Sequence, residues 1–471
     1  MIGRRGVRDL TAVRTLVPFA VLAGAVLLLA LYAWPGIMTF DSFDQLREGR
    51  EGSYTDGHPP AMAAFWGRVD TLIAGPAGMY LIQITVFVAG LYALLRWTFA
   101  PQRAAWLTFA IAVFPPVLAP MGVIWKDALM AAFLVLGLAG IGHGRRSIRI
   151  AALGAFFVAT AVRYNTPAAT LPLVVLLFQW APTPATWPGR IRRYAIATAA
   201  WITITGAAFA INGALTDKPM HLWHSSTALH DITGVLAYVD DDLPDAELGP
   251  ILAGSRPLID RDYHATLRAR YKPTDFAHLI LGPERIWDLP ILGDRAAPPE
   301  QRAGVAHAWK ELVSRFPGAY VTHRLAVFGK ILGFGDKSPG VMVMTKRGQH
   351  KDLAQRFGVS ADDWWVQNWI QRRIEKVAHR TPLFRGWFYL VLSLLLLPFA
   401  WRQRDVLAIL LSGLGLEASL FPLAGTPDFR YSHWLALTTI VAAVLLIARR
   451  YRATRVIQAP PIAAGPAAQA D

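Results

Sequence analysis

The sequence predicts an all-α polytopic membrane protein with about ten membrane-spanning helices and one large segment outside the membrane. Three observations carry this. Of 471 residues, 54% are hydrophobic and only 17% charged, where a soluble protein of this size carries about 25% charged residues. Apolar runs near the spanning length of about 20 residues recur along the chain. Arginines crowd alternate connections between those runs, which is the positive-inside pattern.

The ten predicted spans are 15–34, 76–96, 104–120, 127–142, 150–163, 167–181, 194–214, 384–401, 406–423 and 433–448. The first run is too long for the apolar region of a signal peptide, and no small-residue cleavage site follows it, so it reads as a retained span. Arg4, Arg5, Arg8 and Arg14 precede it. Arg96 and Arg103 follow span two, and Arg145, Arg146 and Arg149 follow span four. Arg190, Arg192 and Arg193 follow span six, and Arg402 and Arg404 follow span eight. Arg449, Arg450, Arg452 and Arg455 close the last span. These connections are short and nearly free of acid, which places them and both termini in the cytoplasm. Spans five and six are short and meet at Arg163-Tyr164-Asn165-Thr166-Pro167. Pro167 disfavours helix at Thr166, so a break is expected there. Non-helical backbone at that depth is tolerated only where protein or a water-filled cavity covers it.

Four parts follow. Residues 1–214 form an N-terminal transmembrane module whose first outside loop is 35–75. Residues 215–383 form a large extracytoplasmic segment, with 22 Lys/Arg against 20 Asp/Glu, long enough for a small folded domain. Within it, 302–316 and 352–376 read as amphipathic helices, the second with Trp364, Trp365 and Trp369 suited to the water–headgroup interface. Residues 384–455 carry the last spans, and 456–471 read as a disordered tail. The other outside segments are turns at 121–126, 163–166 and 425–432.

The net charge of +15 raises nucleic-acid binding, but its concentration in short inside loops argues for topology instead. Cysteine is absent, which removes disulfides, thiolate nucleophiles and thiolate metal sites. There is no internal repeat, Gly-rich phosphate loop, HExxH motif or GxSxG elbow, so ATP-driven and serine-hydrolase chemistry lack support.

Charged and polar residues converge on the outside loops: Asp41, Asp44, His58, Lys126, Asp127, Arg163, Asn165, Asp428 and Arg430. Charge near the hydrocarbon boundary is costly and often functional. Asp41 and Asp44 share a face if their segment is helical; Asp41 also reads as a helix N-cap. His58 lies in the stiff corner Gly57-His58-Pro59-Pro60, either as a presented imidazole or as a solvated loop histidine. Lys126-Asp127 is either an exposed neutralising pair or a phosphate ligand with Asp127 orienting phosphate or acceptor. Arg163 is either a snorkelling arginine or a phosphate ligand. Arg430, between Phe429 and Tyr431 after Pro427, offers a bidentate fork to phosphate oxygens. If these loops meet, Lys126, Arg163 and Arg430 make a cationic pocket with Asp41 as a nearby base. Such a site suits transfer of a group from a lipid phosphate to a hydroxyl.

On these residues the chain resembles the integral-membrane glycosyltransferases of the GT-C class, in the bacterial branch. The signature is Pro35, Gly36, Asp41, Ser42 and Gln45 after the first helix, then His58-Pro59, Lys126-Asp127, Arg163 with Asn165, and finally Asp428, Arg430 and Tyr431. Order and sidedness match over spans one to six and the last two; the 215–383 segment matches loosely. The resemblance implies a GT-C-like fold in the bacterial inner membrane, with an extracytoplasmic site. It implies a polyprenyl-monophosphate sugar donor, a glycan or lipid acceptor of the cell envelope, and direct inversion. Asp41 then takes the role of base, with Asp44 second, and Gln45, His58, Lys126, Asp127, Arg163, Asn165, Asp428, Arg430 and Tyr431 bind substrate. Metal dependence varies across the class; the sequence shows no metal cage, so no metal ligand or cofactor is assigned, and a divalent cation stays compatible with the class. The Asp-Ser pattern departs from the Asp-Glu pair of protein mannosyltransferases. Two other readings stand beside this one: a transporter or flippase, which fits broken helices, and a glycan polymerase or ligase using a pyrophosphate-linked donor.

Overall fold

The computed structural model of the chain describes residues 3–179, 186–289, 296–335, 351–359 and 364–458. Among the described residues the fold is helical, with no strand beyond three isolated bridges. The N-terminal module comprises α1 (Gly3–Ala33), α2 (Phe40–Glu51), α3 (Pro60–Leu72), α4 (Ala77–Leu95), α5 (Pro101–Ala112), α6 (Pro115–Met121), α7 (Lys126–Ile141), α8 (Arg146–Val162), α9 (Pro167–Leu177) and α10 (Trp187–Leu215). The 215–383 segment holds α11 (Leu222–Ser225), α12 (Thr227–Tyr238), α13 (Asp245–Leu252), α14 (Tyr263–Arg270), α15 (Pro299–Arg315), α16 (Pro317–Ile331), α17 (Lys351–Arg356) and α18 (Trp365–Arg380). The chain closes with α19 (Gly386–Ala400), α20 (Arg404–Leu423) and α21 (His433–Gln458).

The expected count of ten spans is corrected. Among the described residues five stretches are long and apolar enough to cross a membrane: Leu16–Ala33, Ala77–Leu95, Trp187–Leu215, Arg404–Leu423 and Phe429–Arg452. A sixth exists if α5 and α6, bent by 72° at their junction, count as one. The other predicted spans are helices cut short. At 1.5 Å per residue, the 11 residues of α9 and the 16 of α7 rise only about 17 and about 24 Å, below the roughly 30 Å hydrocarbon core. Pro115 and Pro167 open helices rather than continue them, because proline lacks the N–H that an interior turn needs. The break at 163–166 is present, although Thr166 itself adopts helical angles.

One core runs through the membrane module. In it α4 packs on α7, α7 on α8, α20 on α9 and α21, and α1 on α5. The 215–383 segment has its own core of Leu229, Ile232, Leu236, Leu252, Trp287 and neighbours from α12 to α15. A small third cluster, Val327 and Ile331 of α16 with Leu420 of α20, joins the two. Among the described residues the segment is helical. The helix expected over 302–316 spans Pro299–Arg315. The one expected over 352–376 is divided into α17 and α18, with 360–363 outside the described residues. The last helix continues to Gln458, past the expected start of the tail; 459–471 lie outside the described residues.

The loop after α1 is built by its turn. Gly36 has φ 120°, open to glycine alone, and a Cβ there would sit 2.6 Å from the Ile124 side chain. This lets Ile37 run beside Val123, with Ile37 N–H donating to Gly122 O at 3.1 Å and Ile124 N–H to Ile37 O at 3.0 Å. The turn after α1 and the turn before α7 therefore form one unit. Gln83 of α4 supports it, its amide donating to Met121 O and Val123 O at 3.0 and 2.9 Å.

Candidate functional site

Thr39, not Asp41, is the N-cap of α2. Ser42 Oγ accepts from Thr39 N–H at 3.1 Å and donates to Ile124 O at 2.8 Å. The helix start is thereby bolted to the α7 turn, and Asp41 is left free in the first turn. Trp125 Nε1 donates to Thr39 Oγ1 at 2.9 Å, which stands its indole beside the same turn.

Arg430 lies across that indole, its guanidinium carbon 4.8 Å from the ring centre. Its Nη1 donates to Asp41 Oδ2 at 2.8 Å, its Nε lies 3.1 Å from Asp428 Oδ2, and its Nη2 donates to the Tyr431 hydroxyl at 3.3 Å. Asp428 also accepts from the Arg430 N–H at 3.0 Å, which caps the short turn Phe429–Ser432. His58 Nε2 is 3.9 Å from Asp41 Oδ1, and its Nδ1 accepts from Lys126 Nζ at 2.5 Å. Asp41, His58, Lys126, Asp428, Arg430 and Tyr431 thus come from four separate chain segments and meet.

Burial would raise the Asp41 carboxyl, but Arg430, His58 and Lys126 outweigh it and hold the group well below the usual carboxylate range. Burial pushes the His58 imidazole down to about 3, with Lys126 adding to the effect. His58 is therefore neutral, as its acceptor role toward the ammonium requires. Burial raises Asp428 to about 6 against the pull of Arg430.

The remaining predicted residues are held by other partners, Arg163 also lying 5.4 Å from the Tyr431 ring centre. Asp127 is 1% exposed and ion-paired with Arg163, so it does not reach phosphate or acceptor. Arg163 also donates from Nε to Asn165 Oδ1 at 2.7 Å, and Asn165 donates to Ser419 Oγ at 2.9 Å. Asp44 turns away to Arg47 at 2.6 Å. Asp41 and Asp44 therefore do not act as one pair. Gln45 is buried at 2% exposed, its Oε1 without a hydrogen-bond partner. The expected cationic pocket is also charge-balanced, with Lys126, Arg163 and Arg430 set against Asp41, Asp127 and Asp428. Lys126 differs from the two arginines in having no carboxylate in direct contact among the described residues: it bonds the His58 ring, and burial pushes its ammonium down to about 7.

A cavity of about 380 Å³ opens beside this cluster. Lys126, Arg163, Tyr164, Asn165 and Tyr431 form one wall, Ser226, Thr227 and Phe276 of the outside segment another, and Leu420 and Leu423 of α20 an apolar side. Sequence reasoning missed the contribution of 226–227 and 276, which lie in the loosely patterned segment. It also missed Trp125 and Gln83; a glutamine inside the apolar run of α4 was the available signal. Among the described residues no three His, Asp or Glu side chains group as a metal cage.

Compared with protein-family models, with curated proteins and with solved structures, the chain matches none.

Proposed function

We propose that this protein transfers a sugar from a polyprenyl-monophosphate donor to a hydroxyl of an extracytoplasmic envelope glycan or lipid, by inversion, with Asp41 as base. The observation that carries the reading is the Asp41 carboxylate itself. It is kept ionised, its side chain is 24% exposed, and through His58 it is linked to Lys126, which lines an amphiphilic cavity. The cavity's two chemistries match a lipid phosphate: Lys126 is a point charge for phosphate oxygens, and Leu420 and Leu423 are a surface for prenyl carbons. In the step, the acceptor hydroxyl gives its proton to Asp41. Its oxygen bonds the anomeric carbon as the carbon–oxygen bond to phosphate breaks on the opposite face. The phosphate leaves with the electron pair, and Lys126 stabilises the charge it gains. Charge balance favours a monophosphate over a pyrophosphate donor, because both arginines already face carboxylates.

The test is Asp41→Asn in purified protein reconstituted with synthetic polyprenyl-monophosphate sugars. Transfer is expected to be lost while donor lipid still binds; retained transfer sinks the assignment. Mass spectrometry of envelope glycans from a deletion strain names the sugar.

A further inference from the structure

The outside segment carries a buried ionic cluster that the transfer chemistry does not use. Asp231 of α12 is 1% exposed, and Arg324 and His323 of α16 are 0% exposed. Arg324 Nη2 lies 2.6 Å from Asp231 Oδ1, and His323 Nε2 lies 3.0 Å from the same oxygen. Trp309 Nε1 donates to Asp231 Oδ2 at 2.8 Å. Burial lowers the His323 imidazole, and its Nδ1 accepts from the Tyr271 hydroxyl at 2.9 Å. Two helices, α15 and α16, thus supply three partners to one carboxylate of α12.

A fully buried guanidinium is expensive unless its donors are used. Arg324 spends its other end outside its own domain: Nη1 donates to Ala424 O at 3.0 Å. Ala424 is the C-cap of α20, where a carbonyl has no helical partner. The next residue, Gly425, is closed in by the Phe276 ring, 3.1 Å from where a Cβ would stand. Asp428 fixes the far end of this strap by capping the turn that bears Arg430. The strap is therefore tied at one end to the outside domain and at the other to the cluster around Asp41.

We propose that Arg324 is a positioning residue: anchored on Asp231, it ties the outside domain to the 424–428 strap and so sets the reach of Arg430 toward Asp41. For its kinetic consequences this rests on the transferase reading. The outside segment is then the brace of the site as well as one wall of its cavity. A displacement of the strap by about 1 Å is enough to lower transfer on the order of 10²-fold.

Arg324→Ala strands Asp231 and risks misfolding, so the working variant is Arg324→Met with Asp231→Asn, which removes both charges and keeps volume. Hydrogen exchange of the segment 424–432 is measured in full-length protein in nanodiscs. At least about a tenfold acceleration is expected, whereas unchanged exchange in the folded double variant overturns the proposal. With a synthetic polyprenyl-monophosphate sugar, kcat/KM is expected to fall and its acid limb to move up, as Arg430 loosens from Asp41. A limb that stays in place while exchange rises overturns the link to Arg430. Wild-type protein that transfers no sugar overturns the transferase reading instead, and the exchange measurement still judges the brace.

Discussion

Arg430 donates a hydrogen bond of 2.8 Å to Asp41, a residue 389 positions away in the chain. The contact does two opposing things. It keeps the half-buried carboxylate ionised, and it lowers the basicity that the proposed proton abstraction would use.

Arg430→Gln separates these effects. The lowered group, Asp41, stays in its active base form down to pH values below the ordinary carboxylate range. Burial raises this group and Arg430 is the largest effect opposing it, so losing Arg430 is expected to move the acid limb of the residual kcat/KM to higher pH. The rate itself is expected to fall on the order of 10²-fold. A pH–rate series on both proteins reads this.

Lys126→Met tests the phosphate ligand. A charged hydrogen bond is worth roughly 1.5–3 kcal/mol, so donor KM is expected to rise about tenfold to about a hundredfold. His58 loses its ammonium neighbour, and its titration, followed by NMR, is expected to move up from about 3.

Asp127→Leu leaves Arg163 buried without its carboxylate. A loss of about 3–5 kcal/mol is expected, as for other broken buried pairs. Adding Arg163→Met is expected to restore most of it, because two apolar side chains then replace two charges. Thermal unfolding of the single and double variants in one lipid mixture checks this.

Glu48 gives a pH signature of the first outside loop. It is 2% exposed, its Oε1 accepts from Thr55 N–H and Oγ at 3.1 and 2.7 Å, and burial raises it to about 7. The folded protein therefore holds a proton that the unfolded chain releases above 4.5. Stability is expected to fall as pH rises from about 4.5 through about 7. Glu48→Gln is expected to flatten that slope, read by thermal unfolding across the same window.

Parts of this site are legible in the sequence because they depend on local pattern. Asp41, His58, Lys126 and Arg430 lie beside helix ends with turn formers before them, and their loops are short. Asp41 and Asp44 look equivalent three residues apart, yet one meets Arg430 and the other Arg47. Neither partner is deducible from helical spacing alone, since the choice depends on which direction α2 leaves its cap. The Asp127–Arg163 pair joins α7 to the end of α8 and reads in sequence as two independent surface charges. Ser226, Thr227 and Phe276 carry no motif, and only the packing of the outside segment brings them to the cavity.

Composition and apolar spacing by themselves determined that this is a helical membrane chain and where its helices lie, because burial in lipid acts on each run of residues separately. Helix length against bilayer thickness then decided which of those helices can span, reducing ten to five. Tertiary structure alone decided the electrostatics. Charges that the sequence presents as one free cationic patch are mostly neutralised by partners far along the chain, because an unpaired charge at this depth is too costly to keep.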